Sequence, residues 1–202
     1  MKIDYLILGA FETNCYILRL NETAKECLII DTGLEAGRLI EFLKQNNLNP
    51  AAVVLTHGHP DHVAGVTILR ENFPDTKVYI HKLDAEMLTS SLDNCSLSIV
   101  PTLFLEDQSV ISEAGIKLKV LHTPGHTQGG ICLYSKDEGI VFTDDTLFAD
   151  SVGRTDLGGN MAQLIKSIRE KLFTLPDDTK VYPGHGPVTT IAHEKANNQF
   201  LQ

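Results

Sequence analysis

No stretch of this 202-residue chain has the long unbroken apolar run that a membrane span requires. The N-terminal residues Met1 to Leu8 mix Lys2 and Asp4 into an apolar segment too short for a signal peptide, so a cytoplasmic protein is expected. Positive charge is scarce as well. With 17 basic against 26 acidic residues the formal charge is -9, and no local cluster of lysine or arginine offsets it. Phosphate backbones and anionic bilayers attract clustered cations, so neither nucleic acid nor membrane is an expected partner.

The four cysteines, Cys15, Cys27, Cys95 and Cys132, form no Cys-x-x-Cys pair, which argues against thiolate metal sites and redox motifs. Cys15, Cys27 and Cys132 lie in apolar runs and read as buried free thiols. The sequons at Asn21 and Asn94 mean nothing without secretion. Neither a Gly-x-Ser-x-Gly elbow nor a glycine-rich phosphate loop is present, so serine-hydrolase and nucleotide chemistry find no support. Low-complexity tracts are missing too. At 43% hydrophobic and 21% charged residues, the composition is that of a globular protein. The length suits a single domain over 1–202, built as two fused half-units of about 1–107 and 108–202.

What is there begins with three β-type runs, Ile3 to Leu8, Asn14 to Leu20 and Glu26 to Ile30, which suggest an antiparallel meander. Thr32 and Glu35 offer a capping box for a helix striped by Leu39, Ile40 and Leu43. Ala51 to Leu55 reads as a buried strand, Val63 to Glu71 as a helix, Val78 to Ile80 as a strand and His81 to Leu88 as a helix. The segment Asp93 to Asp107 has no clear period and is expected to be a loop covering the site. Strands resume at Gln108 to Ile111, Ile116 to His122, Gly130 to Tyr134 and Ile140 to Thr143. Asn160 with Gln163 starts a helix whose buried face is Met161, Leu164, Ile165, Ile168 and Leu172. A strand at Lys180 to Tyr182 and a helix from about Ile191 close the chain. Strands followed by helices, given twice, predict an α/β protein of two packed sheets with helices outside.

The chemistry is concentrated at His57-x-His59-x-Asp61-His62, at the end of the Ala51 to Leu55 strand. Gly58 and Pro60 predict a tight loop there, whose alternate side chains reach the same side. His57 and His59 can then grip one cation while Asp61 and His62 reach a second. Imidazole nitrogen and carboxylate oxygen suit zinc, iron or manganese. Three further loops after predicted strands add His126 in Thr123-Pro124-Gly125-His126-Thr127, Asp144 and Asp145 before Thr146-Leu147-Phe148, and His185 in Pro183-Gly184-His185-Gly186.

With these motifs, and with Thr13-Asn14-Cys15-Tyr16, Asp31-Thr32-Gly33 and Gly153-Arg154-Thr155-Asp156, almost the whole chain resembles the metallo-β-lactamase superfamily and its hydroxyacylglutathione hydrolase (glyoxalase II)-like group. The resemblance implies a four-layer αββα sandwich of two mixed β-sheets with helices on the outer faces. It also implies two divalent ions, zinc with iron or manganese as alternatives. His57, His59 and His126 would hold one, Asp61, His62 and His185 the other, and Asp145 would bridge them together with a metal-bound water. Asp31 would orient ligand imidazoles, unless it is only a turn or cap. His81, His122 and His193 fall outside the pattern and read as structural or surface residues.

The activity so implied is hydrolysis of a small acyl-thiol such as an acyl-glutathione, by a hydroxide shared between the metals, with Asp61 orienting the attacking water or shuttling a proton. The alternatives are a single-iron persulfide dioxygenase using His57, His126 and Asp145, and a lactone or other ester hydrolase. With only a short stretch after His185, the helical domain with which glyoxalase II holds glutathione is not expected here. Arg154 is read as the ion-pair partner of Asp156 in preference to an anchor for substrate. The family has glycine where Asp144 stands, so a side chain here is expected either to face solvent or to tilt the bridging loop.

Overall fold

A computed structural model describes residues 1–89, 91–92, 95–96 and 98–202. They cluster into two compact units, Met1–Leu105 with Ile111–Lys117 and Glu106–Val110 with Leu118–Gln202.

In the first unit β1 (Lys2–Leu8), β2 (Thr13–Arg19) and β3 (Glu26–Ile30) form the expected antiparallel meander, with Tyr5 opposite Tyr16 and Ile17 opposite Ile29. The sheet then turns parallel through β4 (Asn49–Val54) and β5 (Lys77–His81). Near-continuous apolar runs in β3 to β5 suit strands covered on both faces. Helix α1 (Gly37–Gln45) packs Leu39, Ile40 and Leu43 into a core that includes Ile17, Ile29, Val53 and Ile80. Each such side chain contributes roughly 1.5–3 kcal/mol of transfer free energy when fully buried.

Several expectations for this unit need correction. The helix begins at Gly37 after an Ala36 cap with no side-chain hydrogen bond, so Thr32 and Glu35 form no capping box. Thr32 is instead drawn to the histidine segment, where its N–H and hydroxyl both donate to the His62 carbonyl at 2.8 and 3.1 Å. The stretch after β5 is a 3-10 helix (Lys82–Thr89), followed by the two-residue strands β6 (Ser91–Leu92) and β7 (Cys95–Ser96). Of the expected covering loop, residues 93, 94 and 97 lie outside the described residues. Its later part holds β8 (Leu103–Leu105), a strand parallel to β5, because Leu103 to Leu105 completes the sheet edge.

The second sheet draws on β9 (Val110–Glu113), β10 (Ile116–His122), β11 (Ile131–Ser135) and β12 (Ile140–Asp144), followed by a small hairpin of β13 (Leu147–Phe148) and β14 (Ser151–Val152). It is completed by β15 (Lys180–Pro183) and β16 (Thr189–Thr190), in the order β16-β15-β12-β11-β10-β9. Like the first sheet it combines an antiparallel run with a parallel pair, here β12 with β15. Both sheets are therefore mixed.

Four α-helices remain among the described residues. In the first unit α2 (Pro60–Val63) and α3 (Val66–Asn72) divide the single helix expected from Val63. In the second, α4 (Met161–Ser167) is capped by Asn160, whose Oδ1 accepts from Gln163 N at 2.9 Å, and runs on as a π-helical turn to Leu172. Leu164, Ile168 and Leu172 join Leu121, Val141 and Val181 in its core, whereas Met161 is 37% exposed and not part of the buried face. Thr190 caps α5 (Ile191–Asn197). No helix among the described residues is long and apolar enough to cross a membrane.

Candidate metal centre

Strand β4 ends where Thr56 begins the histidine segment, and the chain does not stay a loop. Pro60, with its fixed φ and no N–H to satisfy, opens α2, so Asp61 and His62 stand on a first helical turn. His59 is the extended residue before it. His57 Nε2 and His59 Nδ1 lie 2.9 Å apart, and His62 Nε2 lies 3.5 Å from Asp61 Oδ2. The first unit thus offers two donor pairs from six residues.

Asp31 organises them. It is buried, with φ +54°, and its Oδ1 accepts from Thr56 N at 2.9 Å while Oδ2 accepts from Thr56 Oγ1 at 2.7 Å. Oδ2 also meets His62 Nδ1 at 3.0 Å. A carboxylate there holds the proton on Nδ1 and leaves the Nε2 lone pair pointing toward Asp61. Asp31 is therefore an orienting carboxylate and not a mere turn residue. Gly58 N donates to Asp84 Oδ2 at 3.1 Å, a second tether for the segment.

In the second unit two imidazoles gather on one carboxylate. Asp145 Oδ2 lies 3.5 Å from His126 Nε2, and Asp145 Oδ1 lies 3.5 Å from His185 Nε2. Each oxygen faces a different imidazole. His126 Nδ1 donates to the Arg154 carbonyl at 2.6 Å, which fixes its tautomer and leaves Nε2 bare toward Asp145. The preceding residue shows why glycine is needed: a Cβ on Gly153 would stand 1.8 Å from the Asp145 carbonyl oxygen. His185 is positioned by Gly184, whose N–H donates to the Asp144 carbonyl at 3.1 Å, and its ring packs edge-on to Phe148.

Three of these four spacings fit cations, whereas the 2.9 Å between His57 Nε2 and His59 Nδ1 is that of a hydrogen bond. Two donors bound to one ion at about 2.1 Å and a tetrahedral angle stand about 3.4 Å apart. An N–H···O hydrogen bond would draw them to about 2.7–3.2 Å. The three His-to-Asp distances of 3.5 Å match the former. The donor set is also chemically right, with His62 and His126 each bonded at Nδ1 so that Nε2 is left for an ion, and a carboxylate whose two oxygens face different imidazoles.

Asp144 is buried and has φ +47°, a conformation that glycine adopts freely, so the expectation that it faces solvent does not hold. It falls at the register shift between β12 and β15, directly before Asp145. Arg154 forms the expected pair with Asp156, bidentate at 2.6 Å. His81, His122 and His193 make local contacts away from these donors: His81 Nδ1 accepts from Leu83 N, His122 Nε2 meets the Gln128 carbonyl, and His193 Nε2 meets Asp150. Sequence reasoning missed Thr32, Thr56, Asp84 and the Arg154 carbonyl. The first three are ordinary polar residues in pattern, and a main-chain oxygen leaves no mark on side-chain identity.

Comparison with known proteins points one way. A family model described as the metallo-beta-lactamase superfamily matches residues 8–185. A probable metallo-hydrolase, YqgX of Bacillus subtilis (strain 168), is 36% identical, covering 100% of this chain and 98% of its own length. The hydroxyacylglutathione hydrolase GloC of Haemophilus influenzae is 35% identical with the same coverage. Among solved structures, BLEG-1 B3 metallo-beta-lactamase superposes with a TM-score of 0.92 at 36% identity over 100% of both chains. TTHA1623 in a di-iron-bound form gives 0.85 at 33% identity, covering 98% of this chain and 100% of that one. ETHE1 from Myxococcus xanthus gives 0.81 at 31% identity, over 98% and 84%.

Proposed function

The chain belongs to the metallo-β-lactamase superfamily, and from that premise we propose that it is a two-metal hydrolase acting on a small acyl-thiol. His57, His59, His126 and one oxygen of Asp145 would hold the first ion, and Asp61, His62, His185 and the other oxygen the second. The observation that carries this reading is Asp145, whose two oxygens address two imidazoles at equal distance. A carboxylate serving one ion has no reason to divide in that way.

When bound, a pair of divalent cations supplies a water acidified toward neutral pH and a Lewis acid for a carbonyl oxygen. The protein's residues do the rest. Asp31 and the Arg154 carbonyl lock His62 and His126 in the tautomers that bind through Nε2. Asp61 would orient the attacking water or shuttle its proton.

The thioester assignment rests on GloC, a hydroxyacylglutathione hydrolase by name, matched along the full chain. A single iron on His57, His126 and Asp145 would leave the Asp61, His62 and His185 set without a role. The test is metal analysis of protein purified without added metal, followed by a thioester panel under anaerobic conditions that includes S-lactoylglutathione and acyl-coenzyme A analogues. Two ions per chain with oxygen-independent cleavage support the proposal. One iron per chain with oxygen consumption overturns it.

A further inference from the structure

Strands β4 and β5 run side by side in parallel, with Val54 opposite Tyr79 and Leu55 N donating to the Tyr79 carbonyl at 2.8 Å. The segments that leave their C-terminal ends are therefore neighbours: the histidine segment after β4 and the 3-10 helix Lys82–Thr89 after β5. They meet at Gly58, the buried residue between His57 and His59. Asp84 is buried too, and its Oδ2 accepts from Gly58 N at 3.1 Å. The Cα of Gly58 is closed in by the same helix, since a Cβ there would stand 2.6 Å from Met87 Cβ, 2.8 Å from Met87 Sδ and 3.1 Å from the Asp84 carbonyl oxygen. One short helix thus holds both the amide and the Cα of this residue. The rings on either side of it come together, with His57 Nε2 2.9 Å from His59 Nδ1.

We propose that Asp84 is a positioning residue for the ion assigned to His57, His59 and His126, while Asp31 serves the ion assigned to Asp61, His62 and His185. The inference rests on the two-ion reading given above. A buried N–H must keep an acceptor, and a carboxylate is the strongest that a side chain offers. With Gly58 fixed at its amide and at its Cα, the main chain between the two imidazoles cannot rotate, and both rings stay on one side. Asp31 bonds Thr56 and His62, the residues that flank this stretch. The two buried carboxylates so divide the segment. One holds His62 by its ring, and the other holds the His57 and His59 pair by the peptide between them.

The test is zinc binding to the metal-free protein, with chelator competition giving the two affinities and long-range proton-nitrogen NMR following the histidine rings. Wild type should bind two ions. Asp84→Ala should bind one of them about tenfold more weakly or worse, with the ring nitrogens of His57 and His59 responding later in the titration than those of His62. Asp84→Asn keeps an oxygen for Gly58 N and should stay within about threefold of wild type. Asp31→Asn should reverse the order, with His62 responding last. In wild type the Gly58 amide should exchange slowly with deuterated solvent, in metal-free and loaded protein alike, a reading that does not depend on how Asp84→Ala folds. The inference alone is overturned if wild type binds two ions and Asp84→Ala binds both unchanged, or weakens both equally as a general loss of packing would. It is overturned as well if the Gly58 amide of the metal-free protein exchanges as fast as an exposed one. Wild type that binds fewer than two ions overturns the two-ion reading and this inference with it.

Discussion

His126 donates its Nδ1 proton to the carbonyl oxygen of Arg154 at 2.6 Å, so a residue with a conspicuous side chain serves the proposed metal site through its backbone. Replacing Arg154 by alanine should therefore leave metal affinity within about twofold, since the carbonyl remains. Gly153→Ala should do the opposite, because its Cβ collides with the Asp145 carbonyl oxygen. The expected loss is about 10–100-fold in metal affinity, the usual range when the support of a ligand is disturbed. Competition with a chromogenic chelator reads both variants. Equal affinity in Gly153→Ala and wild type would count against the geometry.

Asp31→Asn should also lower metal affinity by about 10–100-fold, with the secondary structure unchanged by circular dichroism. The amide keeps the shape of the carboxylate but gives His62 a weaker acceptor and removes a charge next to the ring. Thr56, which donates to the same carboxylate twice, should lose order in step. An NMR spectrum of Asp31→Asn with the Thr56 amide unshifted would contradict this role.

Much of this was legible in the sequence, and what was not has physical causes. The Asn160 cap is a signal carried by residue type at fixed spacing, and it stands where the pattern put it; the histidine segment is legible as a cluster of donors, but half of its expected loop is helix α2, because Pro60 can open a helix as well as break one. The short strands β8, β13 and β14 hold two or three residues each, too few to establish a period of two. The capping box at Thr32 failed because a distant partner, the His62 carbonyl, outcompeted the local one. Tethers of that kind join residues far apart in sequence and have no local signature.

Arg154 hydrogen bonding holds the carboxyl of Asp156 at about 2, below its usual 3.8. Because the folded value is the lower one, any stability the pair contributes is fully present above pH 3.8 and is lost as pH falls through about 2. The pair is fully exposed, so its effect on global stability should be small. A carboxylate NMR titration should place Asp156 near 2 in wild type and shift it up toward 3.8 in Arg154→Ala, a backbone hydrogen bond keeping part of the lowering. A wild-type midpoint at 3.8 would show that the bidentate pair does not form in solution.

Burial pushes the thiols of Cys27 and Cys132 up to about 12, and that of Cys15 well above its ordinary value. The thiolate is the reactive form, so all three should be inert in the native protein. In a Cys95→Ser background, a disulfide reagent at pH 8 should release almost no chromophore until denaturant is added, and then three equivalents. Rapid native labelling would mean that the strands around Cys15, Cys27 or Cys132 open far more readily than a packed core permits.

The most direct test of the two-ion assignment is an anomalous difference map from crystals of the metal-loaded protein. Two peaks are expected, one bonded to His57, His59 and His126, the other to Asp61, His62 and His185, with Asp145 contributing one oxygen to each. A single peak, or two peaks with Asp145 bonded to neither, would contradict it.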